Sequence, residues 1–366
     1  MQPIAERLNG VRILIVAPSL AIMGGQAVQA DLLLRNFRAE GVDVGFQPHN
    51  PVPWWPLNYL TRIKYVRTLV VSLFYLAGLF KRIPKYDVVH IFSASYRSFL
   101  LAPMPAILIS RMFGKKCVLN YRSGEADDHL TRAGKRVHRV IRSADKIVVP
   151  SKYLVDVFSK HGFKAEYIYN IADLSAFRYR ERSSIMPNIL VPRNLEPLYD
   201  IETAIRAFCI FKKRHSEAVI TIVGSGSDER RLKKLVVSEK IEGVVFTGRV
   251  ERSEIARLYD EADIFLNTSI IDNMPVAIVE AFHCGLPVVT TNAGGIPYIV
   301  RNRENGLLAP MNDVAGVAAA LEEVYSNAEL RSRIIAGARA NAANYSWDSV
   351  KQKWADKYLE LAGVRE

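Results

Sequence analysis

A regular alternation of short apolar runs with longer stretches of helical period constrains the fold most, and it occurs twice. The first half has four runs rich in β-branched residues, "VRILIVAP", "DVVHIFS", "KCVLNYR" and "KIVVPS". The second half has five, "NILVPR", "AVITIVG", "VVFTGR", "DIFLNTS" and "LPVVTT". Such repetition is typical of parallel sheets covered by helices on both faces. The sequence therefore predicts an α/β protein with two Rossmann-like domains.

The length and one charged segment suggest where the domains divide. A chain of 366 residues favours two domains of roughly 150 to 200 residues each. The segment Phe177–Pro187, "FRYRERSSIMP", breaks the alternation and is predicted to be the linker. We expect an N-terminal domain at 1–183, a C-terminal domain at 184–345 and a last helix at 346–366. That helix has a stripe of large residues at spacings of three or four, Trp347, Val350, Trp354, Tyr358 and Leu361, which predicts a buried face.

Cysteine usage and the N-terminus favour a cytoplasmic protein. Cys117, Cys209 and Cys284 are odd in number and widely spaced, which fits reduced thiols better than a disulfide framework or a zinc site. The first twenty residues lack the features of a signal peptide, because their apolar run is better interpreted as a first strand.

The positive charge is confined to the N-terminal half. Residues 1–183 have 27 Lys and Arg against 13 Asp and Glu, a net charge of +14, whereas the remainder has 22 against 24, or −2. This asymmetry suggests an anionic partner for the first half, either membrane lipid or nucleic acid. A merely solvated basic surface is the alternative.

The segment Tyr65–Lys85, "YVRTLVVSLFYLAGLFKRIPK", is apolar between basic ends. Its uninterrupted apolar part would extend only about 18 Å as a helix, against the roughly 30 Å of bilayer hydrocarbon, so it is too short to span. It fits a helix on an anionic membrane surface, or a buried crossover helix between strands. Trp54 and Trp55, just upstream, could lie at the same interface.

Loops that follow strands should hold the ligand, because doubly wound sheets bind ligands beyond the carboxyl ends of their strands. Gly24 and Gly25 follow the first strand and precede a helix, where backbone amides can approach a phosphate or sugar. Arg193 follows "NILVP", and its guanidinium is suited to a diphosphate. Each signal is weak alone, since glycine turns and surface ion pairs are common.

The most specific stretch is "SIIDNMPVAIVEAFHCGLPVV", residues 269–289. Pro275 suits the first turn of a helix, which places Asp272 and Asn273 in the loop before that helix and Glu280 inside it. Both carboxylates can accept hydrogen bonds from sugar hydroxyls, and the amides from Asn273 to Val276 can face phosphates. The next strand leads to Gly294 and Gly295, a second backbone approach to the same place.

This stretch resembles the signature of the family 4 retaining glycosyltransferases of GT-B fold. The signature has an acid, seven residues, a glutamate, a small residue with Gly-Leu-Pro-Val, and then Gly-Gly-Ile-Pro. Further resemblance extends from Gly24 and Gly25 through "RNLEPLYDIETAIRAF", "VGSGSDERRL", "VVFTGRV" and "LYDEADIFLNTS" to "YSWDSV". The resemblance implies a GT-B architecture in which two Rossmann-like domains face each other across a cleft. It implies an acceptor site in the first domain, a nucleotide-sugar site in the second and a last helix that returns to the first.

The resemblance also implies a role for each matching residue. Glu280 is expected on the donor ribose, Asp272 on the donor sugar and Arg193 on the phosphates. Arg249 and Val250 are expected beside the nucleobase. The implied donor site comprises Gly24, Gly25, Arg193, Arg249, Val250, Asp272, Asn273, Met274, Pro275, Glu280, Gly294 and Gly295, and the implied catalytic residues are Asp272, Glu280, Arg193 and Arg122.

Three positions depart from the family pattern. The first glutamate of the signature is replaced by Asp272, which is one methylene shorter. A phosphate-contacting lysine is replaced by Leu198, and the histidine of the acceptor domain is replaced by Arg122. Arg122 could supply the missing cation. His90, in "DVVHIFS", could line the site but is more simply a core histidine.

We therefore expect a retaining, metal-independent hexosyltransferase that uses a UDP- or GDP-sugar and needs no cofactor. A lipid-linked or cell-envelope acceptor, and contact of the basic domain with the inner face of the membrane, follow from the charge. Two alternatives stay open, a non-catalytic nucleotide-sugar or glycan-binding descendant and a nucleotide-sugar 2-epimerase. Nucleic-acid binding is not expected, because the carboxylates of the most specific motif would repel phosphates.

Overall fold

The computed structural model describes residues 3–21, 24–52 and 63–364. The chain forms two compact units, Met1–Ile171 with Trp347–Glu366 and Ala172–Ser346. Trp54 and Trp55 lie outside the described residues, so their interpretation stays a prediction.

The first unit is built on a six-stranded parallel sheet with the order β2-β1-β3-β4-β5-β6. Its strands are β1 (Ile13–Ala17), β2 (Val44–Pro48), β3 (Val88–Ser93), β4 (Lys116–Tyr121), β5 (Lys146–Val149) and β6 (Glu166–Tyr167). Ile15 pairs with Phe46 on one side and with His90 on the other. Strands β1, β3 and β4 are almost fully buried, as expected of a sheet covered on both faces.

The second unit repeats this plan with the strand order β12-β11-β10-β7-β8-β9, again all parallel. Its strands are β7 (Asn188–Pro192), β8 (Val219–Val223), β9 (Val244–Gly248), β10 (Ile264–Asn267), β11 (Val288–Thr291) and β12 (Leu307–Ala309). Two parallel sheets in two units confirm the predicted α/β class.

Helices cover both faces of each sheet. In the first unit they are α1 (Ile4–Arg7), α2 (Gly25–Ala39), α3 (Lys64–Arg82), α4 (Tyr96–Leu101), α5 (Pro103–Met112), α6 (Ala126–Arg132), α7 (Lys135–Ser143) and α8 (Lys152–Lys160). In the second they are α9 (Ile201–Lys212), α10 (Glu229–Ser238), α11 (Arg252–Glu261), α12 (Val276–Cys284), α13 (Val314–Ser326) and α14 (Ala328–Ala342), and the last helix of the chain is α15 (Trp347–Ala362).

Side-chain alternation along the strands separates the core of the first unit into two layers. Ile13 and Ile15 of β1 contribute to one layer, with α1, α2 and α15. Leu14 and Val16 contribute to the other, with α3, α5 and α8. The buried face predicted for the last helix is confirmed, since Val350, Trp354, Tyr358 and Leu361 are all buried, and α15 belongs to the first unit.

Three strands and one boundary differ from the sequence analysis. Strands β2, β6 and β12 were not anticipated, because they are short or contain residues such as Gly45 and Pro48 that disfavour strands. The boundary between the units lies after Ile171, not after Ser183. Arg180 explains the difference, because it hydrogen-bonds to the carbonyl of Ala262 and to Asp263 and so fixes the predicted linker within the second unit.

The segment predicted as an apolar helix forms α3, followed by a short 3-10 turn at Ile83–Lys85. Tyr75, Leu79 and Ile83 pack into the core, so one face is that of a buried crossover helix. Within the described part of the chain, no helix combines the length and apolarity needed to cross a bilayer.

Candidate active site

Loops at the carboxyl end of the second sheet contact one another closely. The amide of Leu195, after β7, donates to the carbonyl of Ser225, after β8, at 3.1 Å. The amide of Gly224 donates to the carbonyl of Gly248 at the end of β9, at 2.9 Å. A Cβ on Gly224 would overlap the carbonyl oxygen of Arg193, so only glycine permits this approach. The loops therefore form one continuous edge, where ligands of such sheets bind.

Arg193 and Asp272 form an ion pair at this edge. Nη2 of Arg193 donates to Oδ2 of Asp272, and also to the hydroxyl of Ser269 at 3.2 Å. The guanidinium stacks over the ring of Tyr199, with 4.2 Å between its carbon and the ring centroid. Only 11% of the Arg193 side chain and 12% of the Asp272 side chain are exposed. The structure thus brings together two of the predicted residues, with opposite charges in direct contact.

The Arg193 guanidinium retains unused donor capacity. Its Nε–H is buried and has no hydrogen-bond partner in the described structure. An unsatisfied donor of this kind costs free energy, which a bound oxyanion would recover. Asp272 is held further by its own neighbours, because Oδ1 accepts the amide of Asn273 at 2.8 Å and its carbonyl accepts the amide of Gly295 at 2.9 Å.

Glu280 lies inside α12 and receives a hydrogen bond from the adjacent helix. The hydroxyl of Tyr259, on α11, donates to Oε2 of Glu280 at 2.9 Å. Burial raises the pKa of Glu280, while the Tyr259 hydroxyl and the charges of Arg252 and Arg193 oppose that rise.

Tyr259 is a candidate residue that sequence reasoning missed. Its side chain is fully buried and packs edge-on against Phe177, with ring centroids 5.2 Å apart. Arg252 lies over the same Phe177 ring and forms a 3.0 Å ion pair with Asp173. A tyrosine inside "LYDEAD" gives no sign that it faces a glutamate twenty-one residues later, so no single-sequence signal could have found it.

Helix α12 follows the loop that contains Asp272 and Asn273. The helix begins at Val276 with Pro275 at the N-cap position, so the prediction that Pro275 lies in the first turn was one residue too early. Proline at the N-cap position makes no side-chain hydrogen bond to the helix, and helix N-termini attract anions. Asn273 and Met274 are buried directly before it.

The Gly294–Gly295 turn packs against the loop that precedes α12. A Cβ on Gly295 would overlap the carbonyl oxygen of Asn273. Gly294 adopts a φ of 46°, in the left-handed region. Arg249 and Val250 follow β9 at the same edge of the sheet; Arg249 is exposed and Val250 half-buried. At the departure noted above, Leu198 is exposed, and its carbonyl accepts the amide of Ile270 at 2.9 Å.

The remaining predicted residues lie at the carboxyl edge of the first sheet. Gly25 begins α2 directly after Gly24, and the next residue, Gln26, donates to the carbonyl of Ser93 at 3.2 Å. The amide of Arg122 donates to the same carbonyl at 3.0 Å. Gly24, Gly25 and Arg122 therefore share one edge within the first unit, separate in the chain from the residues of the second.

A buried chain of hydrogen bonds fixes Arg122. Tyr358 bonds to Nδ1 of His90 at 2.7 Å, and Asn120 donates from Nδ2 to Nε2 of His90 at 2.9 Å. Arg122 donates to the Oδ1 of Asn120 at 3.3 Å and also to Asn170. Burial lowers the pKa of Arg122 to about 9 and that of His90 well below its usual value. His90 is thus a satisfied core histidine, the simpler of its two interpretations.

No group of three or more His, Cys, Asp or Glu side chains suited to a metal ion occurs among the residues that the structure describes. Metal independence stays a prediction. Asp127 and Asp128 form surface ion pairs, Asp127 with Lys160 and His161 and Asp128 with Arg132.

Comparison of the whole structure with solved proteins identifies the fold. The crystal structure of Anabaena Alr3699/HepE in complex with UDP superposes with a TM-score of 0.73, covering 96% of this chain and 100% of that one at 17% identity. Sucrose-phosphate synthase from Thermosynechococcus elongatus gives a TM-score of 0.74 over 97% of this chain. The fold is therefore that of the GT-B glycosyltransferases.

Sequence comparison supplies relatives. The D-inositol 3-phosphate glycosyltransferase of Nocardioides sp. (strain ATCC BAA-499 / JS614) is 27% identical over 258 residues, which cover 62% of this chain and 56% of that protein. The amylovoran biosynthesis glycosyltransferase AmsK of Erwinia amylovora is 38% identical over 125 residues, 32% of this chain and 31% of that protein. The chain thus matches little more than half the length of the first relative. Residues 182–341 match the family described as glycosyl transferases group 1, so the second unit is similar to that family.

Proposed function

We propose that this protein transfers a hexosyl group from a UDP- or GDP-sugar to a hydroxyl of a lipid-linked or cell-envelope glycan, with retention at the anomeric carbon and without a metal ion. The observation that carries this proposal is the Arg193–Asp272 ion pair at the carboxyl edge of the second sheet, with Asp272 in the loop before α12 and Glu280 inside that helix. An arginine with an unused buried donor, together with a helix N-terminus, suits a diphosphate.

The relatives support the reaction class. One is named for glycosyl transfer to D-inositol 3-phosphate and another for amylovoran biosynthesis, and a protein of the same fold was solved with UDP-glucose. The first two names describe glycosyltransferases, and the third protein was solved with an activated sugar. Once the nucleotide is bound, the carboxylate of Glu280 is proposed to accept hydrogen bonds from the ribose hydroxyls. The carboxylate of Asp272 is proposed to accept them from the hydroxyls of the donor sugar.

Stabilisation of the leaving group is the chemical requirement of this reaction. The bond between the anomeric carbon and the diphosphate oxygen breaks, the acceptor oxygen bonds to that carbon on the same face, and the acceptor's proton passes to the departing diphosphate. The departing nucleoside diphosphate gains negative charge, which Arg193 and the first turn of α12 are placed to stabilise. In this role Glu280 is charged and only accepts hydrogen bonds. Because its pKa is raised, donor binding should weaken as the pH falls and the carboxylate is protonated.

The acceptor is proposed to be presented at the membrane. The net charge of +14 in residues 1–183 favours an anionic surface, and the expected compartment is the cytoplasm, on the inner face of the membrane. Arg122, held at the carboxyl edge of the first sheet, is proposed to provide a cation on the acceptor side.

A donor panel tests the proposal. Either the UDP- or the GDP-sugars should raise the unfolding temperature. The same donor should be hydrolysed slowly, and this hydrolysis should persist with a chelator present. Arg193→Ala should abolish both effects while Arg230→Ala, on an exposed position of the second unit, should not. If NMR shows that the anomeric configuration of the product is inverted relative to the donor, retention is contradicted.

The alternatives give different outcomes. Stabilisation by a nucleotide-sugar without hydrolysis or transfer to any acceptor would identify a binding-only protein, in which the Arg193–Asp272 pair is merely structural. Interconversion of a nucleotide-sugar with its 2-epimer would identify an epimerase.

A further inference from the structure

One stretch of the first unit is almost free of acidic residues. Between Asp43 and Glu125 the chain has 11 Lys and Arg but a single acidic residue, Asp87. Asp87 forms an ion pair with Arg12. The stretch includes α3 and α5, which pack against each other. Arg111 of α5 pairs with Asp145 at 3.6 Å, whereas Lys81, Arg82 and Lys85 form no ion pair with the residues that the structure describes.

The outward faces of α3 and α5 are also apolar. Leu69 and Leu73 of α3 are 63% and 58% exposed, and Phe80 is exposed two turns later. On α5 the exposed residues include Leu108 and Met112, one turn apart. A single exposed Leu is common on the surface of a soluble protein. An apolar stripe along the solvent side of a helix is unusual, because that side is normally polar.

An aromatic contact joins the two stripes. The rings of Phe80 and Phe113, both exposed, meet edge to face with centroids 6.0 Å apart. Basic residues border this junction, since Lys81, Arg82 and Lys85 follow Phe80 and Arg111 precedes Met112, all of them exposed. We call the apolar residues Leu69, Leu73, Phe80, Leu108, Met112 and Phe113 with this basic border the α3–α5 face.

We propose that the α3–α5 face docks this protein onto a bilayer that contains anionic lipid. The apolar stripe would enter the boundary between headgroups and acyl chains, and the basic border would contact the anionic headgroups. An acidic protein partner would match the border but would leave the leucine stripe exposed to solvent. The absence of a helix able to cross a bilayer, among the residues described, agrees with docking on the surface. This inference does not depend on the proposed sugar transfer.

Vesicle sedimentation of the full chain tests it. The protein should sediment with phosphatidylcholine vesicles that contain phosphatidylglycerol, and much less with phosphatidylcholine alone. Replacing Lys81, Arg82 and Lys85 together by Gln should weaken partitioning at low salt by about 100-fold, or roughly fivefold for each charge. High salt should reduce the difference from wild type, because exposed charges are screened. Replacing Lys213, Arg230 and Lys234 by Gln, an equal charge change in the second unit, should have little effect.

The apolar component has its own variant. Leu69→Ser with Leu73→Ser should reduce partitioning by at least tenfold at both low and high salt, because burial of apolar area is not screened. Ile210→Ser with Val237→Ser, two exposed positions of the second unit, is the matched control. Thermal stabilisation by the donor in solution should be the same for every variant, so that failure here is distinct from failure of the proposed function.

Three results would overturn the inference. These are no sedimentation of wild type with anionic vesicles, equal loss in the control variants, or a wild-type dimer that Leu69→Ser with Leu73→Ser converts to a monomer without altering vesicle binding.

Discussion

At the residue scale, the Arg193–Asp272 pair controls the candidate site. The pair is mostly removed from solvent, so the diphosphate of the proposed donor would compete with the Asp272 carboxylate for the Arg193 guanidinium. Two opposite charges with little exposure to solvent attract each other strongly. Separating them costs free energy, which weakens binding of the donor. The Asp272 carboxylate is also proposed to contact the donor sugar. It would then bind either Arg193 or the sugar, but not both at once.

Asp272→Asn should therefore separate binding from turnover. Loss of the carboxylate frees Arg193 for phosphate, and the affinity for UDP measured by titration calorimetry should increase by about tenfold, the equivalent of one charge-assisted hydrogen bond. Transfer should slow by tenfold or more, because the sugar loses its carboxylate. Asp128→Asn, which breaks an ion pair in the first unit, should alter neither. Weaker UDP binding in Asp272→Asn would show that the pair supports donor binding rather than opposing it.

Glu280 carries a stability cost that depends on pH. Because burial raises its pKa in the folded state, the fold favours the protonated acid. Its contribution to stability is complete below the ordinary glutamate pKa, and is lost as pH rises through the folded value. At neutral pH the charged form therefore destabilises the second unit.

Glu280→Gln should consequently stabilise the protein while it abolishes donor binding. We expect an increase of about 1 kcal/mol at pH 7, roughly 2–4 °C in Tm for a domain of this size. The gain should vanish near pH 4, where wild-type Glu280 is protonated. Scanning calorimetry at both pH values provides the measurement, and an equal gain at the two would rule out the charge as its origin.

At the element scale, Arg182 ties together the ends of two helices that carry site residues. This buried guanidinium donates to the carbonyls of Tyr259 at 2.9 Å, Ala262 at 3.1 Å and Cys284. It thereby satisfies the last carbonyls of α11 and α12, which bear Tyr259 and Glu280. Burial lowers the pKa of Arg182 to about 10, which leaves it charged at neutral pH.

Arg182→Met should lower the free energy of unfolding of the second unit by about 3 kcal/mol, because several buried carbonyls lose their donor. Urea denaturation measures this loss. Arg257→Met is the matched control, since Arg257 lies on α11 but pairs only with exposed Glu254 and Glu261 in the contacts described. Its effect should stay within about 0.5 kcal/mol, and equal losses would argue against helix tying.

The turn at Gly295 positions the loop that carries Asp272 and Asn273. Its φ of −83° is open to any residue, so Gly295→Ala adds a methyl group where the Asn273 carbonyl stands without straining the turn itself. The loop must move, and we expect donor affinity to fall by at least tenfold in a thermal-shift titration. Gly134→Ala, where a Cβ meets nothing within 4 Å, should leave affinity unchanged. Normal donor binding in Gly295→Ala would show that the loop tolerates displacement.

At the scale of the whole molecule, a helix from the end of the chain completes the core of the first unit. Trp354 and Tyr358 of α15 pack in the same layer as β1 and α2, and Tyr358 begins the hydrogen-bond chain to Arg122. The first unit therefore cannot form from residues 1–171 alone with its core covered.

Core truncations should act on one unit at a time. Trp354→Ala should destabilise the first unit by about 3–5 kcal/mol, and Phe208→Ala, in the core of the second, should destabilise that unit similarly. Limited proteolysis with mapping of the first cleavage sites measures which unit opens. Cleavage confined to residues 172–346 in Trp354→Ala would contradict the assignment of α15.

Local pattern was sufficient for the fold class, and it supplied candidate site residues whose roles stay predictions. Apolar runs of strand length predicted most strands, because burial on both faces demands continuous apolar sequence. Asp272, Asn273, Glu280, Gly294 and Gly295 were predicted together because their spacing around one helix is a local property. Strands β6 and β12 contain two and three residues, too few for any pattern.

Tertiary structure alone decided what lies beside these residues. The contact of Arg193 with Asp272 joins loops that follow different strands, and Tyr259 reaches Glu280 from a separate helix. The chain from Tyr358 to Arg122 likewise connects distant parts of the sequence. Spacing along the chain determines which residues share a helix face or a loop, whereas contacts between elements depend on how sheets and helices pack. The residue types and their local order were therefore readable from the sequence, and the pairing of their charges was not.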